Sequence, residues 1–182
     1  MLVAEGNSGS GAELVVLVDE SGVPTGTQPK SQVHHSSTPL HLAFSTHLFD
    51  GDGRILVTRR ALSKRTWPGV WTNSFCGHPG PGESTVDAIG RRADYELGVT
   101  VGDLVPALPD FRYRAVDFSG VVENEICPVY TARVAGQLAP RASEVSQWEW
   151  VEPQRLVEAV RLAPWAFSPW LTLQLPLLYP TE

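Results

Sequence analysis

The chain has 182 residues, 42% of them hydrophobic and 19% charged, with a formal net charge of -6 at pH 7 and a pI near 5.3. That length supports one full core, and an acidic balance with no basic run excludes a nucleic-acid-binding surface. No apolar run approaches the roughly 20 residues of a membrane span, and the N-terminus lacks a basic start and an apolar stretch, so a cytoplasmic protein is expected. In that compartment Cys76 and Cys127 are expected as thiols rather than as a disulfide framework.

Residues 1–12 (MLVAEGNSGSGA) are small and polar and predict a disordered tail, with one domain over 13–182. ELVVLVDESG predicts a strand and turn, and VPTGT a tight connection. QPKSQVHHSSTPL has no periodicity and leaves His34 and His35 as loop residues. HLAFSTHLF predicts a half-buried strand with Leu42, Phe44 and Leu48 on one face and His41, Ala43, Ser45 and His47 on the other; DGDG then turns it into RILVTRR. The hairpin ends among Arg59, Arg60, Lys64 and Arg65, which suits either a small anion or a solvated rim.

The stretch WPGVWTNSFCGHPGPGE (67–83) holds the least ordinary chemistry. Cys76 and His78 flank Gly77, so in an extended segment both side chains leave on one face, as a reactive pair or as a buried thiol beside a solvated imidazole. Ser84, with Asp87 three residues on, predicts a helix start and Gly98 its stop, with Val86, Ile89, Ala93 and Leu97 as the apolar stripe and Arg92–Glu96 as an i, i+4 pair. PDFRYRAVDFSG and VVENEICPVYTARV predict two strands around a turn at 117–120. On the second, Glu123, Glu125 and Cys127 share a face. Paired carboxylates flanked by apolar residues need a metal or a base between them. SQWEWV predicts a strand, EPQRLVEAVRL a helix, and Ser168–Pro169 the start of a last apolar helix. The pattern is α+β, mostly antiparallel strands with a few helices.

Gly77, Glu83, Arg91, Glu96 and Gly98 stand at spacings that resemble the Nudix box, a loop and helix carrying metal-binding glutamates. The chain departs from it at Arg92 and Tyr95, where the hydrolases carry glutamates. That resemblance implies mixed and antiparallel sheets flanked by helices without the hydrolases' magnesium cluster; a pyrophosphohydrolase is the alternative reading. HLAFSTHLF, LVTRRALSK, WPGVWTNSFCGHP, FRYRA, ENEICPV and WAFSPW, in that order, resemble the type I isopentenyl-diphosphate isomerases over about residues 13–176.

The second resemblance implies reversible isomerisation of isopentenyl and dimethylallyl diphosphate by protonation and deprotonation. It places a divalent metal (zinc, manganese or magnesium) on His34, His41, His78, Glu123 and Glu125, with His35 as a possible substitute for His34. It also implies a substrate-borne magnesium bridged to Glu96 and to the Cys76 carbonyl. Cys76 and Glu125 would work on opposite faces of the substrate, with Tyr113 near the proton path and Trp170 over the hydrocarbon end. Lys30, Arg60, Lys64 and Arg92 are the candidates for the diphosphate charge. The partner is expected to be a small molecule bound by a monomer, while the roles of His47 and Cys127 stay open.

Overall fold

A computed structural model describes residues 13–180, so the tail expected over 1–12 lies outside the described residues. The strands are β1 (Leu14–Val18), β2 (Pro24–Pro29), β3 (His41–Leu42), β4 (Phe44–Phe49), β5 (Ile55–Arg60), β6 (Trp71–Thr72), β7 (Phe75–Gly77), β8 (Thr100–Leu108), β9 (Arg112–Val116), β10 (Val122–Ile126), β11 (Val129–Ala135) and β12 (Val145–Val151). The helices are α1 (Lys30–Val33), α2 (Thr85–Leu97), α3 (Pro153–Leu162) and α4 (Pro169–Leu178). A five-stranded sheet runs β2-β1-β3-β10-β9; a larger one runs β12-β5-β4-β11-β8, with β6 on β5 and β7 on β4.

Two strands pass from one sheet to the other. HLAFSTHLF breaks at Ala43 into β3 in the smaller sheet and β4 in the larger, and ENEICPVY breaks at Cys127–Pro128 into β10 and β11. The halves pair in parallel at both levels, β3 with β10 and β4 with β11, stitched by Ala43 N–H to the Ile126 carbonyl at 2.9 Å and Ser45 N–H to the Pro128 carbonyl at 3.1 Å. The half-buried strand expected over 41–49 is therefore buried on both faces, because β4 is central and helices cover each side of it. Phe44 and Leu48 meet Ile89, Ala93 and Leu97 of α2, while His47 and Ser45 meet Gln174 of α4.

Other expectations shift for local reasons. VPTGT is not a tight connection but part of β2, an edge strand with a proline at each end. The apolar stripe of α2 starts at Ala88, since Val86 lies in the first turn and is exposed. Ser84 caps that helix by accepting from Asp87 N–H, and Gly98 closes it at φ 66°, a left-handed geometry that glycine adopts without Cβ strain.

His47 is fully buried, and its Nε2–H donates to Gln174 Oε1 at 2.9 Å. Burial disfavours the imidazolium, outweighing that hydrogen bond, and lowers the pKa from 6.5 to about 4. The depressed value means that stability from a neutral His47 is fully present above pH 6.5 and is lost as pH falls from there through about 4, on the order of 3 kcal/mol in all. His47→Phe should lower the melting temperature at pH 7, yet flatten its decline between pH 6.5 and 4 relative to wild type; parallel curves would show that His47 does not titrate in this range.

Candidate active site

Between the sheets opens a cavity of about 500 Å³, lined by Lys30, His34, Arg60, Lys64, Cys76, His78, Arg92, Glu96, Tyr113, Glu123, Glu125 and Trp170 among others. Every site residue expected from the sequence is there except His41, which lies fully buried behind the wall. Cys76 enters from β7 of the larger sheet and Glu125 from β10 of the smaller, so thiol and carboxylate come from different walls. Tyr113 is Glu125's cross-strand partner on β9.

His34, His41, His78 and Glu125 each offer a ligand atom within 4.8 Å of the others, and all four are buried. His41 Nε2 stands 3.4 Å and His78 Nε2 3.2 Å from Glu125 Oε1. His34 Nε2 lies 2.9 Å from Glu123 Oε2, yet neither atom has a hydrogen-bond partner. Ligands about 2.1 Å from a common ion are spaced about 3 Å apart, so these separations fit a shared centre. His41 Nδ1 is 2.9 Å from the Pro39 carbonyl, which can only accept; Nδ1 carries the proton, and in a neutral ring Nε2 turns a lone pair toward a carboxylate. Without positive charge that arrangement is repulsive. Burial drives His41's pKa down, but Glu125's hydrogen bond and charge outweigh it and the net shift is upward. Burial likewise raises, and the histidines more than offset, the pKa of Glu125, which is held well below the ordinary carboxylate range. His78 is lowered to about 4, chiefly by burial, and stays a neutral ligand at physiological pH. Three buried imidazoles and a carboxylate can hold a divalent ion; Glu123, expected among the ligands, lies outside this set, with its Oε2 2.9 Å from His34 Nε2 and its Oε1 accepting from Thr66 Oγ1 at 2.8 Å. His35 turns instead to its own loop, where its ring accepts from Ser37 N–H.

The thiol is set by polar residues that the sequence pattern does not single out. Asn73 donates through Nδ2 to the carbonyls of Thr46 and Phe75 at 3.0 and 2.8 Å, which fixes its amide orientation. Its Oδ1 then accepts from Trp170 Nε1–H at 2.9 Å and from Cys76 Sγ at 3.3 Å. One carboxamide ties the indole to the thiol. Burial, with Glu125's charge adding to it and Ser45 and Asn73 opposing, pushes the Cys76 thiol up to about 12, so it keeps its proton. Gly77 is required between the pair, since a Cβ there would meet Phe44 Cζ at 2.7 Å and Arg92 Cγ at 2.8 Å.

Tyr113 and Trp170 make the apolar end, backed by Trp67 and Phe111 in one cluster, with Trp67 edge-on to Trp170 at 5.4 Å between centroids. Trp67 has φ 43°, a strained value for an aromatic residue. Arg60 holds it there by donating to the Thr66 and Trp67 carbonyls at 2.8–3.2 Å. Cys127 packs in the same cluster, and burial raises its pKa well above the usual thiol range. At the polar end Lys64, Arg65 and Arg92 face the cavity, Arg60 stands between the ends with its guanidinium 5.4 Å over the Trp170 ring, and Arg59 turns away to the Gly69 carbonyl and Gln147. The Arg92–Glu96 pair is buried rather than at the surface.

A family model for the NUDIX domain matches residues 39–171. A protein of Leifsonia xyli subsp. xyli (strain CTCB07) named isopentenyl-diphosphate Delta-isomerase is 68% identical over 169 residues, covering 92% of this chain and 91% of that one. Another of that name, from Clavibacter sepedonicus, is 62% identical over 168 residues, covering 92% and 88%. The chain belongs to the isopentenyl-diphosphate Delta-isomerase family.

The fold agrees: a crystal structure from Deinococcus radiodurans superposes with a TM-score of 0.71 at 21% identity, covering 92% of this chain and 99% of that one. A MutT protein of Methanosarcina mazei gives 0.54 at 21%, covering 66% and 82%. Within this isomerase-family chain Glu83 and Arg91 of the box remain an ion pair at 2.7 Å, and Arg91 also donates to the His78 carbonyl at 3.1 Å. The box thus braces a residue of the histidine cluster. No helix of the described residues is long and apolar enough to cross a membrane.

If the cluster holds one ion, His41→Ala should abolish tight metal retention and lower the melting temperature, because the ion joins segments distant in sequence. Metal analysis of wild type and variant with thermal melts reads both, and equal metal content would exclude His41 as a ligand.

Proposed function

We propose that the chain interconverts isopentenyl diphosphate and dimethylallyl diphosphate, moving the double bond by adding a proton at one carbon and removing one at another. The observation that carries this reading is the pairing of a protonated thiol, Cys76, with an ionised carboxylate, Glu125, on two walls of one cavity. A proton donor and a proton acceptor are therefore both present at rest. Family membership makes the substrate class the natural one.

Protonating an unactivated alkene generates a tertiary carbocation, which needs a dry site and a π-face. Trp170 is 3% exposed, anchored by Asn73, and supplies that face; a desolvated cation–π contact is worth on the order of 2 kcal/mol. Tyr113 closes the same wall beside Glu125. The diphosphate belongs toward the charged end, with Lys30, Lys64 and Arg92, and with Arg60, whose guanidinium 5.4 Å over the Trp170 ring stands between the two ends. His34, His41, His78, Glu123 and Glu125 would hold a divalent ion of zinc or manganese type, which would add positive charge to that of the histidines beside Glu125. Glu96 and the Cys76 carbonyl would hold magnesium carried by the diphosphate. A pyrophosphohydrolase is the weaker reading, since a guanidinium, Arg92, stands where the hydrolases carry a glutamate.

Run in heavy water, the reaction should place solvent deuterium in the allylic product and in recovered substrate; product free of deuterium would mean an internal shift and overturn the proton mechanism. Cys76→Ala should reduce turnover by about 10²–10⁴-fold or more while metal content and fold persist. Retention of more than about a tenth of wild-type activity would remove the thiol from the proton path.

A further inference from the structure

The cations that reach the cavity differ in what holds them. Arg60 and Arg65 donate to backbone carbonyls, of Thr66 and Trp67 and of Ser31. Lys30 pairs at 3.0 Å with Glu13, at a site where both side chains are about a third exposed. Lys64 and Arg92 are different: they converge on one carboxylate. Glu144 Oε2 pairs with Lys64 Nζ and lies 3.4 Å from Arg92 Nη2. Arg92 is also held by Glu96 Oε1, at 2.5 and 3.1 Å, whereas Lys64 has Glu144 alone among the described residues.

Glu144 is not a casual surface partner. Its side chain is 13% exposed, those of Lys64 and Arg92 24% and 6%. Its backbone is fixed as well, since its carbonyl accepts from Ala61 N–H at 3.0 Å and its N–H donates to the Arg141 carbonyl at 2.9 Å. Ala61's own carbonyl accepts from Lys64 N–H at 3.1 Å, so carboxylate and ammonium are carried on one hydrogen-bonded turn. Glu144 also lines the cavity.

We propose that Glu144 is a counter-ion latch on the anion site: it occupies Lys64 and Arg92 in the substrate-free cavity, and the diphosphate must displace it to bind. The inference rests on the diphosphate reading above. Without Glu144, Lys64 would have no counter-ion among the described residues and Arg92 would have only Glu96, a costly excess of buried positive charge that any abundant anion would fill. A built-in carboxylate neutralises them at rest and raises the dissociation constant of every incoming anion, so inorganic phosphate no longer saturates the site. A diphosphate, bringing about three charges and several oxygens, competes successfully.

The latch makes a prediction opposite in sign to that of damage. With the metal-loaded full-length protein in magnesium-free buffer, inorganic pyrophosphate measured by calorimetry should bind about tenfold more tightly to Glu144→Gln than to wild type, and Glu144→Asp should restore much of the difference. In a Lys64→Met background the gain from Glu144→Gln should fall to less than half on a logarithmic scale. Unchanged or weaker binding by a folded Glu144→Gln protein, or an equal gain in both backgrounds, would overturn the latch. If Glu144→Gln is unstable, Glu144→Ser carries the same expectation. Absence of isomerase activity in the wild type would instead strike the proposed reaction, leaving the pyrophosphate comparison to judge the latch by itself.

Discussion

Two carboxylates buried on one strand govern how this chain must fold. Glu123 and Glu125 sit on β10, each no more than 6% exposed, just before the strand crosses from the smaller sheet into the larger. Like charges two residues apart on a buried strand are tolerated only if groups that can carry or share a positive charge surround them. The partners come from three separate places: His41 beside Glu125 in the parallel register of β3, His34 just past α1, and His78 just past β7. The sheet crossing and the charge cluster are therefore one feature. The same residues that join the sheets make the site, and a loss of positive charge there would loosen the junction.

From that junction the cavity divides by polarity. One end is aromatic, with Tyr113 and Trp170 backed by Trp67 and Phe111; the other is lined by cations and their counter-ions. Cys76 stands at the boundary, and Asn73 fixes it there. Because Asn73's donors are committed to two carbonyls, its oxygen cannot turn away from the thiol and the indole, and neither can move without breaking a buried bond. Gln174 plays a comparable part behind the wall, accepting from His47 and Ser45 and tying α4 to β4. Rigidity at the reacting end thus comes from neutral amides. At the charged end it comes from ion pairs that an incoming anion can exchange.

Legibility in the sequence followed the range of the interactions concerned. Caps and breakers are local, so Ser84, Gly98, Ser168 and Pro169 marked helix ends that the structure keeps. The sheet crossings were not legible. Ala43 breaks HLAFSTHLF with neither glycine nor proline, and alternation continues through it, so the period is right while the partner strands change. β8 carries Gly102, Asp103 at φ 49° and Pro106, and exists because it pairs along β11 through two register shifts. Val86 fits the helical period but falls in the first turn, outside the packed face. The residues with uncommon chemistry could be found because they lie in long motifs. Asn73 and Glu144 could not, since their meaning depends on partners such as Trp170 and Lys64, 97 and 80 residues away.

The altered Nudix box shows how one helix can be turned to a different use. At the two positions where the hydrolases carry glutamates, α2 has Arg92 and Tyr95. Two guanidinium groups stand over Tyr95's ring, Arg92 at 4.8 Å and Arg141 at 4.1 Å, so the second replacement packs against the first. Burial opposes Arg92's charge, but Glu96 and Glu144 more than compensate, and its pKa is raised. Gly77 lies close enough that an added Cβ would strike Arg92's stem, which binds the position of the guanidinium to the strand carrying Cys76. A helix face that presents glutamates in the hydrolases here presents a guanidinium, Arg92, beside Glu96. On the proposed function, fewer carboxylates to assemble a magnesium cluster would leave a bound diphosphate held rather than cleaved, and the proton chemistry would fall to Cys76 and Glu125.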